Sequence, residues 1–211
     1  MPDIEQARHW YSQTDAVHNF EHVLRVYHMA ERLAKAEGAD VEIVRAAALL
    51  HDVMDTQPGS LERSNHHLTS AEFAGQVLRT EGWPEERIAA VQHCIRAHRF
   101  RDNREPPRTI EAKVLFDADK LDVLGATGIE RTIAYAVLTG QPVYTEPSSK
   151  FLETGKKEPG EPHSAYHEFL FKLQKIKELL FTSTARCIAE ERHAYLAGFF
   201  ERLIAERKGE C

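Results

Sequence analysis

The chain has too few cysteines to build with. Cys94, Cys187 and Cys211 are its three, scattered and without a CxxC spacing, so they indicate neither a disulfide framework nor a thiolate zinc site. That usage favours a reducing cytosol. A basic excess is lacking too: 33 acidic residues stand against 27 lysines and arginines, a formal net charge of -6. Nucleic acid polymers are bound by clustered positive charge, which this balance argues against. No apolar run approaches the roughly 18 residues of a membrane span, and the amino terminus, MPDIEQARHWYSQ, has no basic-then-apolar signal pattern. The chain therefore reads as soluble and cytoplasmic, with neither a nucleic acid polymer nor a membrane among its expected partners.

What is present is helix-forming sequence. With 211 residues, 42% of them hydrophobic and 28% charged, the chain suits one domain with a sizeable core. Nearly every long segment carries helical periodicity and is rich in Ala, Leu, Glu, Arg and Lys. The expected fold is all-α. Helices are expected at about residues 3–13, 18–37, 40–54, 69–81, 84–98, 109–124, 127–139, 163–181 and 183–207. Thr69 with Glu72 reads as a capping box, Pro84 suits a first turn, and Gly38 and Gly82 suit C-terminal caps. The expected organisation is one domain over residues 1–211, with a core at about 15–140 and a C-terminal helical pair at about 163–207. That pair leaves room for a homodimer without demanding one. Two irregular stretches, TQPGSLERSNHHL and TGQPVYTEPSSKFLETGKKEPGEPHS, read as functional lids or disordered segments.

The chemistry concentrates where apolar runs stop. His51 and Asp52 end the run VEIVRAAALLHDVMD, and burying an imidazole and a carboxylate without partners costs several kcal/mol, on the order of uncompensated polar burial. A divalent cation would compensate both. On the helix of NFEHVLRVYHMAERLAKAEG, His18, His22, Arg25 and Met29 share one face, which a solvated polar stripe also explains. TIEAKVLFDADKLDVLGATG is apolar nearly all round yet carries Asp117, Asp119 and Asp122. Three carboxylates there need a cation, an arginine or lysine, or protonation, and Asp117 and Asp122 read equally as a buried salt bridge or a cap for a neighbouring helix. Asp119 and Asp122 share a side, and helical phase alone does not choose between Asp117 and Asp119 as a ligand.

In order, the set is His22 in HVLRV, the His51-Asp52 doublet and Asp119 in DADKLD. It resembles the HD superfamily of metal-dependent phosphohydrolases, whose signature is a His, a His-Asp pair and a distant Asp on a later helix. The likeness extends over HNFEHVLRVYHMAERLA, AALLHDVMD, IRAHRF, EAKVLFDADKLDVLGATGIERT and HEFLFKL, and is to small bacterial stand-alone HD hydrolases. It implies His22, His51, Asp52 and Asp119 as ligands, with ADKL selecting Asp119. Relatives often have His-Asp where this chain has His18-Asn19. The implied cofactor is one or two divalent ions, with Mn, Mg, Fe, Co and Zn all open.

The implied chemistry is attack of a metal-bound water on a phosphate ester or phosphoanhydride, with a nucleotide foremost among the substrates. Asp55 is the implied general acid/base, although Asp55 before Thr56-Gln57-Pro58 also suits a turn. His98 falls near the inward stripe of its helix. It reads equally as a phosphate binder, a ligand to a second ion or a core histidine, and His66 and His67 are weaker candidates for the same job. Arg25, Lys120 and Arg131 are candidate phosphate clamps or counter-charges to Asp117 and Asp122. Two other functions share the scaffold: a di-iron oxygenase, and a catalytically silent regulatory module.

Overall fold

The structure, a computed structural model, describes residues 1–11, 20–54, 65–99 and 105–210. It is all-α, with no strand among the described residues. The helices are α1 (Ile4–Arg8), α2 (Phe20–Glu37), α3 (Val41–Leu50), α4 (His66–Thr80), α5 (Glu85–Ala97), α6 (Ile110–Leu121), α7 (Gly125–Leu138), α8 (Ser149–Thr154), α9 (Ala165–Phe171) and α10 (Ser183–Lys208), with a 3-10 stretch at Leu173–Leu179. Two compact units divide the chain, Met1–Asp119 with Leu180–Ala185, and Lys120–Leu179 with Arg186–Cys211.

In the first unit α3 is the central element, packed against α2, α4 and α5. Ala46, Ala47 and Ala48 are fully buried and small enough to let neighbouring helices approach closely, while Leu49 and Leu50 fill the space between them. Burial of each leucine contributes about 1.5–3 kcal/mol. α2 turns Val23, Val26, Ala30 and Leu33 inward at spacings of three and four, the face a core-packed helix needs. α3 starts where Asp40 caps the Glu42 and Ile43 amides at 3.0 and 3.1 Å. Arg87 on α5 grips the same carboxylate through two nitrogens, at 2.8 and 3.2 Å, and so ties α5 to the head of α3.

Several boundaries depart from expectation. α1 is short because the chain tightens to i→i−3 bonds at His9 and Trp10. α4 begins at His66 with Asn65 as N-cap, so Thr69 and Glu72 form no capping box; the Thr69 hydroxyl instead donates to the His66 carbonyl at 3.0 Å. Pro84 sits one residue before the first turn of α5, with ψ 140°. Gly38 and Gly82 adopt φ of +72° and +77°, the left-handed geometry that a helix-ending glycine supplies without steric cost.

The second unit contains the largest departures. The helix expected over 163–181 breaks after Phe171 and continues as 3-10 turns. A period of three stacks Leu173 and Ile176 on one buried face. Residues 140–162, expected as a lid or disordered, are arranged around Glu161. Its carboxylate accepts from the Ser148 amide and hydroxyl at 2.8 and 2.7 Å and from the Glu158 amide at 2.6 Å. His167 adds a contact at 3.1 Å, and α8 lies inside the segment. Those amides hold the Glu161 carboxyl down at about 2. Tyr166, Phe169 and Phe200 close the unit's aromatic core, with Phe169 and Phe200 stacked at 4.6 Å.

Candidate metal centre

Two helices in the first unit end on a histidine that caps its own last turn. At the end of α3, His51 Nδ1 lies 2.8 Å from the Ala48 carbonyl; at the end of α5, His98 Nδ1 lies 2.6 Å from the Ile95 carbonyl. The last carbonyls of a helix lack amide partners, so an imidazole N–H at that position is well used. A carbonyl only accepts, which places the ring hydrogen on Nδ1 and leaves the Nε2 lone pair of both rings facing inward. His22 from the first turn of α2 and Asp119 from the last turn of α6 reach the same region, as does His66, the first residue of α4.

Asp52 stands between two groups. On one side, its Oδ2 is 3.9 Å from His22 Nε2 and 3.5 Å from His51 Nε2, and Asp119 Oδ1 is 3.5 Å from His22 Nε2. On the other, its Oδ1 is 3.2 Å from His66 Nε2 and 3.3 Å from His98 Nε2. His22, His51 and Asp119 can share a metal ion, as can Asp52, His66 and His98 by proximity alone. The structure thus gathers the four residues that the ordered sequence pattern picked out, together with His98 and His66.

The electrostatics of the centre are those of a cation site. His51 is fully buried, His22 is 2% exposed, and Asp52 and Asp119 retain only 14% and 17% side-chain exposure. His51 Nε2 and Asp52 Oδ1 are buried and make no hydrogen bond; the rings near Oδ1 come close without the alignment a bond requires. Burial alone would raise the Asp52 carboxyl, yet His51, His66 and His98 beside it hold it well below the usual carboxylate range. Burial pushes His98 below its ordinary value, against the pull of the Asp52 carboxylate beside it. Carboxylate oxygens and imidazole nitrogens gathered in one buried cluster are a donor set that suits a divalent cation.

The remaining candidates sort differently. Asp117 is fully buried but turned away, accepting from the Phe181 amide at 2.9 Å and from the Thr182 amide and hydroxyl, each at 2.7 Å. It caps the start of α10. Asp122 and Arg131 form a close ion pair, so Arg131 serves as counter-charge. On the same helix as His98, His93 pairs instead with Glu105 at 2.8 Å. Arg25 is half-buried on α2, three residues beyond His22, and Lys120 belongs to the second unit. Asp55 and His18 lie outside the described residues. Sequence reasoning rated His66 low because its helix was expected to begin at Thr69; the paired histidines after a Pro/Gly-rich loop were the available signal.

Residues 19–124 match the HD domain family, and the chain belongs to it. All six clustered residues fall inside that span. The uncharacterized protein YpgQ of Bacillus subtilis is 34% identical over 99% of this chain and 96% of its own length. The crystal structure of YpgQ in complex with ADP matches with a TM-score of 0.74 at 31% identity, covering 97% of both chains. An HD-superfamily hydrolase from Bacillus thuringiensis matches with a TM-score of 0.72 at 31% identity, over 97% of this chain and 94% of that one.

Proposed function

We propose that this protein is a divalent-metal-dependent phosphohydrolase acting on a small phosphorylated molecule, with a nucleotide as the leading substrate. The observation that carries the reading is the pair of buried atoms without hydrogen bonds, His51 Nε2 and Asp52 Oδ1, in a cluster of imidazoles and carboxylates. Membership of a family that includes HD-superfamily hydrolases supports the reaction class, and the ADP bound by YpgQ supports the substrate class.

His22, His51, Asp52 and Asp119 are the residues to hold the ion. A bound divalent cation would lower the pKa of a coordinated water and neutralise charge developing on phosphoryl oxygens. The two helix-end histidines keep their ring orientation through the backbone carbonyls of Ala48 and Ile95, so the lone pairs are set before any ligand arrives. His98, whose Nδ1 is held on the Ile95 carbonyl, can turn Nε2 to substrate or to water. Asp55, three residues after Asp52, is assigned to accept the proton of the attacking water. Arg25 and Lys120 are assigned to phosphate oxygens on charge and sequence position.

The test is a panel of nucleoside mono-, di- and triphosphates incubated with metal-stripped protein reloaded with Mn, Mg, Co, Fe or Zn, with phosphate and pyrophosphate release read separately. Metal-dependent release of either product supports the reading. Turnover that is unchanged in excess chelator, or no release with any metal and nucleotide, would count against it.

A further inference from the structure

The turn that carries His51 and Asp52 is held on both sides by hydroxyl groups from outside the ligand set. Two residues before His51, the Leu49 carbonyl accepts from the Tyr11 hydroxyl at 2.9 Å. Two residues after Asp52, the Met54 amide donates to the hydroxyl of Ser70, a fully buried residue of α4, at 3.1 Å. α3 ends here without a left-handed residue: His51, its C-cap, has φ -65° and ψ -36°. The last carbonyls of a helix have no intrahelical amide, and side chains meet two of them here, His51 at Ala48 and Tyr11 at Leu49.

Tyr11 also reaches the helix that carries His22. Its ring lies 5.3 Å from that of Phe20, the first residue of α2 and two before His22. The Arg8 guanidinium lies 4.6 Å from the centre of the same Phe20 ring, and Trp10 meets Phe73 of α4 edge-on at 5.5 Å. A capping box between Asp3 and Gln6 opens the short helix that delivers these side chains, and Ala7 within it is fully buried. Tyr11 lies outside residues 19–124, the span that matches the HD domain family.

We propose that Tyr11 and Ser70 are positioning residues of the metal centre, pinning the His51-Asp52 turn at Leu49 and at Met54 so that both ligands are set before an ion arrives. Their hydroxyls act on the backbone from which the two ligand side chains spring. A ligand set held in place binds more tightly, because less conformational freedom is lost on binding. Tyr11 adds a second function, since its ring bears on the first turn of α2 while its hydroxyl bears on the end of α3. The amino-terminal arm is thereby a working part of the centre. This inference rests on the metal reading proposed above.

Tyr11→Phe keeps the ring against Phe20 and removes only the hydroxyl; Ser70→Ala removes the other hydroxyl. Each should weaken manganese(II) binding to the stripped protein by about tenfold, the low end of what loss of an outer partner costs a metal site. Ile88→Val, a comparable loss of stability at a buried position of α5, should bind manganese with wild-type affinity. Amide exchange on the metal-free protein reads one pin directly: the Met54 amide should be protected in the wild type and exchange about tenfold faster in Ser70→Ala. Wild-type manganese affinity in either Tyr11→Phe or Ser70→Ala, an equal loss of affinity in Ile88→Val, or an unprotected Met54 amide would each overturn the inference. A wild type that binds no manganese while its Met54 amide is protected would overturn the metal reading on which the inference rests, so the two failures are distinguishable.

Discussion

Asp117→Ala separates the structural carboxylate of α6 from the one that faces the histidines. In the native protein this buried carboxylate takes the Phe181 amide, the Thr182 amide and the Thr182 hydroxyl at 2.7–2.9 Å. Truncation strands the two amides, and an unsatisfied buried donor costs about 1–3 kcal/mol. The hydroxyl can rotate, and its oxygen still accepts from the Ala185 amide at 3.4 Å, so it adds little. Two amides bound the loss at about 2–6 kcal/mol; Phe181 is only half-buried, which places the expectation near 3 kcal/mol. Chemical denaturation followed by circular dichroism reads the change, and manganese titration on the folded variant should still give the wild-type count. Asp117→Asn keeps one acceptor oxygen but turns an NH2 group toward donors, so it should recover no more than part of the loss. A destabilisation below 1 kcal/mol, or loss of the metal equivalent with stability intact, would refute the assignment.

Leu50→Ala, at a fully buried position one residue before the His-Asp pair, should cost about 2–5 kcal/mol in the same denaturation assay. Glu161, held at about 2 against an ordinary 4.5, is a carboxylate whose folded value is depressed. Its contribution is therefore present above pH 4.5 and lost as pH falls toward 2, and amide exchange at Ser148 and Glu158 should accelerate through that window, with Glu161→Gln flattening the response. Burial pushes the Cys94 thiol up, whereas Cys187 is exposed; a thiol reagent with peptide mapping should label Cys187 in the native protein and Cys94 only after unfolding. Manganese at 100 times its dissociation constant should stabilise the wild type by about 2.7 kcal/mol and leave Asp52→Ala unchanged, as differential scanning fluorimetry would show.

Helical periodicity made α2, α3, α5 and α6 legible because each turns a regular apolar stripe into one core. The His51-Asp52 pair was legible for a different reason, because residues too costly to bury alone mark the end of an apolar run, whereas His22 and Asp119 joined it only through the resemblance to the HD superfamily. The choice of Asp119 over Asp117 was not available from helical phase. It depends on which side α6 offers to the Leu180–Ala185 segment, a partner more than sixty residues downstream. His66 was underrated because the local Thr69 and Glu72 pattern imitates a capping box, while the helix begins three residues earlier. The break after Phe171 escaped because Leu173 and Ile176 satisfy a period of 3 as well as one of 3.6. In residues 140–162 the Glu161 carboxylate collects amides from either side of α8, and no composition signal reports that.

On the proposed function, buried imidazole and carboxylate atoms hold an ion that makes nucleotide hydrolysis possible. Stripping the protein, counting manganese bound to wild type and to Asp52→Ala, and following phosphate and pyrophosphate release in the same samples tests it most directly. Manganese binding and nucleotide turnover are both expected in the wild type and both are expected to be lost in Asp52→Ala. Turnover that persists in Asp52→Ala without bound metal would contradict it.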